Sequence, residues 1–254
     1  MSSTFDNDPD FHDPVPKPKS RRGFRLVEVL VGLGVIVLLI ALLLPATRSS
    51  YPPRRMQCAN NMRQIALALR YYEQVYGALP PAYTVDAKGK PLHSWRTLIL
   101  PYLDHESLYK SIDLSKPWND PVNASALKAL VPVFRCPEAG GPDNTTTYLA
   151  VVGPNDCFLR NESRRLSEIT DNHQSTLMFF EVGDDNEVPW MAPRDADESL
   201  VMRLGPDSNL SHPGGTNMAL VDGSVRFVKA TAPAEVRRAI MSISGGELVS
   251  PDEF

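Results

Sequence analysis

The sequence predicts an α+β fold, in which a long N-terminal helix is followed by a mostly antiparallel β-sheet domain with short helices. An apolar run covers residues 26–44, an amphipathic repeat covers residues 58–76, and short strand-like runs occupy much of the rest of the chain. Because helical patterns come first and strand patterns follow without regular alternation, an α+β fold is expected rather than an α/β fold.

The composition limits the classes of function. The chain has 254 residues, a formal net charge of −4, 43% hydrophobic residues and 22% charged residues. These values are typical of a globular protein. A general nucleic-acid binder would need a basic surplus to neutralise phosphates, so no nucleic-acid partner is expected. Three cysteines are too few for a disulfide-rich scaffold.

The N-terminal apolar run indicates a membrane-spanning helix at about residues 26–45. Glu28 is the only charged residue in the run, and about 20 apolar residues are needed to cross a bilayer. A buried core helix and a cleaved secretory signal are the alternatives. Every face of the helix is apolar and no small-residue cleavage site follows it, which disfavours both. The basic residues before the run weakly favour a cytoplasmic N-terminus, and hence a single-pass inner-membrane protein with an extracytoplasmic main domain.

A second helical segment follows. Its apolar positions recur every three or four residues, as in a helix that packs one face on a core: Cys58, Met62, Ile65, Leu69, Tyr72 and Tyr76. Gly77 and Pro80 end the pattern. We therefore predict a leader over residues 1–23, an N-terminal helix over 24–76 and an extracytoplasmic α+β domain over 77–254.

The remaining elements are short. Helices are predicted over 94–103, 124–130 and 233–243, and strands over 131–134, 145–152, 176–182, 218–221 and 225–228. Asp222-Gly223, between the last two strands, predicts a tight hairpin, because the favoured turns need positive φ.

The candidate chemical groups are few. His212 and Asp222 are interpreted as structural, the first hydrogen-bonded to a nearby strand and the second as turn chemistry, rather than as catalytic or metal-binding. The acidic cluster Asp184, Asp185 and Glu187 is a weak calcium candidate, since its residues lack EF-hand spacing and suit a solvated loop. No nucleophile, zinc-protease or phosphate-loop motif is present, so neither an enzyme nor a cofactor is expected.

The pattern Gly23-Phe24-x-Leu26-x-Glu28 precedes and enters the apolar run. It resembles the prepilin-type signal of type IV prepilins and type II secretion pseudopilins. The resemblance implies cleavage between Gly23 and Phe24 by a prepilin peptidase and N-methylation of Phe24. It also implies that Glu28 guides assembly with other pilin or pseudopilin subunits, and that the molecule has the lollipop shape of pilins.

The rest of the chain contains four further motifs: Cys58-x-Asn60-Asn61-Met62, Ser94-Trp95-Arg96, Cys136-Pro137, and His212 separated by nine residues from Asp222-Gly223. In these motifs the chain is similar to the DUF1559 family of pseudopilin-like proteins. One departure is Asn172-His173, where many members have Gly and a small polar residue. The residues alone leave three disulfide pairings open. The resemblance includes the positions of Cys58 and Cys136 and so favours that pair.

Together these observations predict a membrane-anchored, pseudopilin-like assembly subunit of a type II secretion-like or type IV pilus-like filament. The alternative is a tethered extracytoplasmic binding module that is exported by a prepilin signal but does not polymerise.

Overall fold

The structure is a computed structural model, and it describes residues 26–43, 54–247 and 249. The chain forms two compact units, Met1–Ser50 and Tyr51–Phe254.

The first unit contains helix α1, Leu26–Leu43. Glu28 lies in its first turn, where the partial positive charge of the helix N-terminus favours a carboxylate. All side chains described on this helix, from Leu26 to Ile40, are exposed.

The predicted membrane span is wrong. No helix in the described parts of the chain is long and apolar enough to cross a bilayer. The charge-free part of α1, Val29–Leu43, has 15 residues. At about 1.5 Å per residue it covers roughly 22 Å, less than the ~30 Å of hydrocarbon. This finding overturns three predictions: the membrane-spanning helix of the pilin-like lollipop, the membrane assignment, and the single-pass inner-membrane location.

The second unit is an α+β domain with antiparallel sheets and short helices. Its helices are α2 Arg54–Tyr76, α3 Trp95–Leu98, α4 Glu106–Lys110, α5 Ala124–Leu127, α6 Glu198–Met202 and α7 Ala234–Met241. Its strands are β1 Tyr83–Val85, β2 Pro91–Ser94, β3 Thr145–Thr146, β4 Tyr148–Ala150, β5 Leu177–Glu181, β6 Val188–Pro189, β7 Gly215–Leu220 and β8 Val225–Lys229.

The main sheet has the strand order β4-β5-β7-β8, and each neighbouring pair is antiparallel. The two smaller sheets are β1-β2 and β3-β6. Successive residues of a strand face opposite sides. In β4, Tyr148 and Ala150 accordingly join one apolar cluster and Leu149 joins another. The first cluster contains the buried face of α2, and the second contains residues of α6 and α7. The sheet is therefore the middle layer between these helices.

Helix α2 lies where the apolar repeat predicts it. Cys58, Met62, Ile65 and Leu69 are fully buried. Gly77, at φ 75°, follows the last residue and donates its N–H to the Glu73 carbonyl, a left-handed helix end. Residues 44–53 lie outside the described part, so a continuous helix over 24–76 is not described.

Prolines account for two differences from the predicted elements. The segment predicted as a strand over 131–134 is a 3₁₀ helix, Pro132–Phe134, because proline has a fixed φ and suits the first helical position. The helix predicted over 94–103 is divided into α3 and a 3₁₀ helix, Leu100–Leu103, with Pro101 in its first turn.

Candidate functional site

The structure joins Cys58 and Cys136 in a disulfide with a Cα–Cα distance of 5.2 Å and a sequence separation of 78 residues. Cys58 lies on the buried face of α2, and Cys136 follows the 3₁₀ helix Pro132–Phe134. Both residues are fully buried. The disulfide therefore fastens the helix to the segment that leads into the sheet.

Two ionisable side chains lie against this disulfide. His212 Nε2 is 3.6 Å from Cys136 Sγ and 3.3 Å from Glu181 Oε2. Glu181 is 2% exposed and His212 5% exposed. One potential ligand atom from each of Cys58, Cys136, Glu181 and His212 lies within 4.8 Å of the other three. We call these four residues the buried cluster.

The main sheet holds Glu181 in place. Glu181 is the last residue of β5, and its Oε2 accepts a hydrogen bond of 2.9 Å from the Asn217 side-chain amide on β7. The Thr216 hydroxyl donates to the Glu181 carbonyl. Oε1 is buried and has no hydrogen-bond partner among the described residues. A buried carboxylate with so few donors is costly unless a cation balances it.

The loop before β7 brings His212 inward. Gly214 has φ 86°, which favours glycine. A Cβ on Gly215 would lie 2.3 Å from the Val228 carbonyl oxygen, so only glycine fits this approach to β8. Pro213-Gly214-Gly215 thus shapes the turn that places His212 beside Glu181.

Tyr148 lies directly opposite Glu181 in the β4–β5 register. Its hydroxyl is buried, and the side chain of Asn61 on α2 lies near it. Burial, and next the negative charge of Glu181, raise the pKa of Tyr148 well above its usual value. The phenol therefore stays protonated and can serve as a donor.

The His-x9-Asp-Gly motif does not form one site. His212 precedes β7, and Asp222 follows it in the β7–β8 turn; a six-residue strand is about 20 Å long. Asp222 Oδ1 accepts hydrogen bonds from the Ser224 N–H and hydroxyl, at 2.8 and 2.6 Å, and Gly223 has φ 89°. Asp222 and Gly223 therefore act as turn residues, while His212 belongs to the buried cluster.

The three weak calcium candidates, Asp184, Asp185 and Glu187, bind different partners. Asp184 Oδ2 accepts from the Gly140 N–H, Glu187 Oε2 accepts from the Thr145 hydroxyl, and Asp185 Oδ1 accepts from the Asn209 side-chain amide. Each carboxylate stabilises a different loop contact. The potential metal-ligand cluster found in the described residues includes none of the three.

Sequence reasoning missed a second buried charge pair. Arg96 Nη1 lies 2.7 Å from Asp195 Oδ1, and these side chains are 0% and 4% exposed. The guanidinium also donates to the backbone carbonyls of Tyr148, Trp190, Ala192 and Arg194. Asp195 Oδ1 accepts from the Trp95 indole and the Ala150 N–H as well. These hydrogen bonds join α3, β4 and the segment before α6. The Arg96–Asp195 pair therefore has a structural role.

Glu181 was also missed, although the sequence contains a signal for it. It ends a run of apolar residues, Leu177–Phe180, that form a strand buried at every position. A carboxylate there must have a partner inside the protein.

The other residues singled out from the sequence lie apart from the buried cluster. Gly23 and Phe24 are outside the described residues. Glu28 is in the first turn of α1. The third cysteine, Cys157, is buried and in no disulfide, and burial raises the pKa of its thiol.

No curated protein and no solved structure matches this chain. Residues 53–156 match a family model described as a protein of unknown function, DUF1559. The matched segment contains α2 and both cysteines of the disulfide, while Glu181 and His212 lie beyond it. The match thus supports the DUF1559 family over this part of the chain.

Proposed function

We propose that this chain is a pseudopilin-like assembly subunit rather than an enzyme. In this proposal, α1 packs against the α1 helices of neighbouring subunits in a type II secretion-like or type IV pilus-like filament. The second unit, Tyr51–Phe254, which we call the globular unit, is joined through the chain to these packed helices. The observation that carries the proposal is the exposure of α1.

The apolar side chains of α1 are exposed along its described length, from 78% at Leu26 to 52% at Ile40. A helix that is apolar on every face has to be buried by a partner, because so large an apolar surface is unfavourable in water. A single groove would cover one face. Several copies of the same helix cover all of them.

Two glycines make close helix packing feasible. A Cβ placed on Gly32 or Gly34 would meet no atom within 4 Å, so both positions are open to a neighbouring helix. Small residues let helix backbones approach closely. The two positions are two residues apart and so face nearly opposite sides of α1, which allows close contact with a like helix on either side.

The prepilin-type signal would add a polar contact between neighbouring subunits. Cleavage between Gly23 and Phe24 would create an α-amino group about one helical turn before Glu28. The Glu28 carboxylate of one subunit then pairs with the Phe24 amine of the next, which sets the axial position of adjacent helices.

Crosslinking tests the proposal. A photoreactive amino acid at Val31, or at Leu33 on the other side of the helix, should yield a ladder of crosslinked subunits in cells. The same group at exposed Val122 in the globular unit is the control. Glu28→Ala should weaken the ladder without reducing the amount of protein, whereas Glu162→Ala, at an exposed position, should not. Intact mass should show a chain that begins at N-methylated Phe24.

Three results would contradict the proposal: an uncut chain in cells with active prepilin peptidase, crosslinks from α1 only within one chain, or a normal ladder from Glu28→Ala. Correct cleavage without subunit crosslinks would favour the alternative, a binding module that is exported but does not polymerise.

A further inference from the structure

The buried cluster combines four side chains that bind transition metals. We propose that, when the Cys58–Cys136 disulfide is reduced, Cys58, Cys136, His212 and Glu181 form a tetrahedral Zn²⁺ site. This inference concerns only the globular unit and does not depend on the assembly of α1.

The separations between the ligand atoms fit a tetrahedral zinc ion. Typical Zn–N, Zn–O and Zn–S lengths place the nitrogen and oxygen ligands about 3.4 Å apart, and the sulfur and nitrogen ligands about 3.6 Å apart. His212 Nε2 lies 3.3 Å from Glu181 Oε2 and 3.6 Å from Cys136 Sγ. Three of the four ligand atoms therefore already have the required spacing along these two edges.

The choice of ligands favours zinc over calcium or magnesium. Thiolate sulfur and imidazole nitrogen suit Zn²⁺, whereas the harder cations select oxygen ligands. Two cysteines, one histidine and one carboxylate make a closed, four-coordinate set. All four residues are buried, which is expected of a structural site without an open position for substrate.

The Glu181 carboxylate has few partners within the described residues. Its Oε2 lies against the His212 ring and accepts from the Asn217 amide, and its buried Oε1 has no hydrogen-bond partner there. A divalent ion satisfies this carboxylate directly.

The redox step balances with an external dithiol. The dithiol gives two electrons and two protons to the disulfide and is itself oxidised, so that Cys58 and Cys136 become thiols. Zn²⁺ then displaces the two thiol protons as the thiolates bind. The two sulfur atoms have to move apart, to about 3.8 Å, for a tetrahedral arrangement.

The test compares metal binding by the reduced and oxidised full-length chain. Reduced protein, kept under anaerobic conditions, should bind one Zn²⁺ per chain in competition with a chromophoric chelator. With Co²⁺ as the probe, it should show thiolate-to-cobalt charge transfer and the visible bands of tetrahedral cobalt. The oxidised chain should bind neither ion at the cluster.

Variants identify the ligands. His212→Ala and Glu181→Gln should each lower the affinity of the reduced chain for Zn²⁺ by at least about tenfold. Cys157→Ala, which removes the cysteine outside the cluster, should leave the affinity unchanged. Circular dichroism verifies folding, and Glu181→Gln keeps the shape of the side chain if His212→Ala does not fold.

Absence of stoichiometric Zn²⁺ binding by the reduced wild-type chain would overturn the proposal. It would equally be overturned if both folded variants kept wild-type affinity, or if the cobalt complex lacked thiolate charge transfer. None of these results bears on crosslinking through α1, so the two proposals fail separately.

Discussion

At the scale of single residues, the two buried carboxylates Asp195 and Glu181 of the globular unit have different hydrogen-bond and charge partners. Asp195 is surrounded by Arg96, an indole N–H and a backbone N–H. Glu181 has an amide and the His212 ring. Breaking the first pair would leave an uncompensated buried charge, which typically costs 3–5 kcal/mol. Each carboxylate has one buried oxygen without a hydrogen-bond partner in the described residues, but Asp195 is also paired with a guanidinium. This pairing is what distinguishes a structural clamp from a candidate binding site.

Asp156 gives a pH-dependent prediction at the same scale. Burial, and next the charge of Glu198, raise the pKa of Asp156 to about 6. Between about pH 4 and pH 6 the folded chain thus holds a proton that the unfolded chain has lost. The contribution of Asp156 to stability is present below pH 4 and is lost as the pH rises through 6. Asp156→Asn should therefore stabilise the protein at pH 7, by at most about 3 kcal/mol.

Urea unfolding at pH 4, 5, 6 and 7 measures this effect as the difference between variant and wild type. The difference should grow with pH and level off above pH 6. Asp207→Asn, at an exposed position, is the control and should show no such trend. A constant difference for Asp156→Asn across this range would contradict the raised pKa.

At the level of single residues, the sequence identified those members of the site whose residue type has a characteristic chemistry. Cys58, Cys136 and His212 stand out by type, and the turn chemistry of Asp222-Gly223 follows from the need for positive φ. Glu181 did not stand out, and Arg96 did so only as part of the Ser94-Trp95-Arg96 motif. Charged residues are common, and only tertiary burial shows that these two are inside. The meeting of His212 with the disulfide depends on long-range strand pairing that no local pattern contains.

At the scale of elements, periodicity succeeded where one face of an element is buried over several turns. The buried side of α2 is an example, since its apolar residues recur at helical spacing. Short elements were less predictable. Strands β1 and β2 form a small hairpin whose alternation is too brief to detect, and Pro132 converts an expected strand into a 3₁₀ turn.

The β7–β8 hairpin gives the element-scale prediction. Gly223 has φ 89°, and a Cβ added there would meet no atom within 4 Å. Gly223→Val should therefore destabilise the domain through backbone strain alone, by about 1–3 kcal/mol. Gly223→Asn should cost less, because asparagine tolerates positive φ better than a β-branched residue. Chemical unfolding of the two variants gives the comparison, and equal stabilities for valine and asparagine would refute the backbone explanation.

At the scale of the whole molecule, the two units have different sources of stability. The second unit has two apolar clusters, a four-stranded sheet and a disulfide. The first contains one described helix whose side chains are exposed. Hydropathy distinguished the apolar run from the rest of the chain, but the predicted division placed α2 with the N-terminal helix over 24–76, whereas the structure places α2 in the second unit. The length of the apolar run also led to a predicted membrane span that the helix does not provide. Hydropathy shows that a segment is unfavourable in water, but it does not show whether lipid or protein covers that segment.

Removal of residues 1–50 tests whether the units are energetically independent. The shortened chain should keep the thermal midpoint and the far-ultraviolet circular dichroism of the sheet domain, because the buried apolar clusters lie within Tyr51–Phe254. It should also stay monomeric in sedimentation at concentrations where the full chain associates, since the exposed apolar surface of α1 is gone. A matched chain that keeps residues 1–50 but carries Val31→Lys and Ile36→Lys should show the same loss of association with the same midpoint. If instead the midpoint fell after truncation by more than a few degrees, α1 would be part of the folded domain, and its exposed surface could not be the assembly element of this protein.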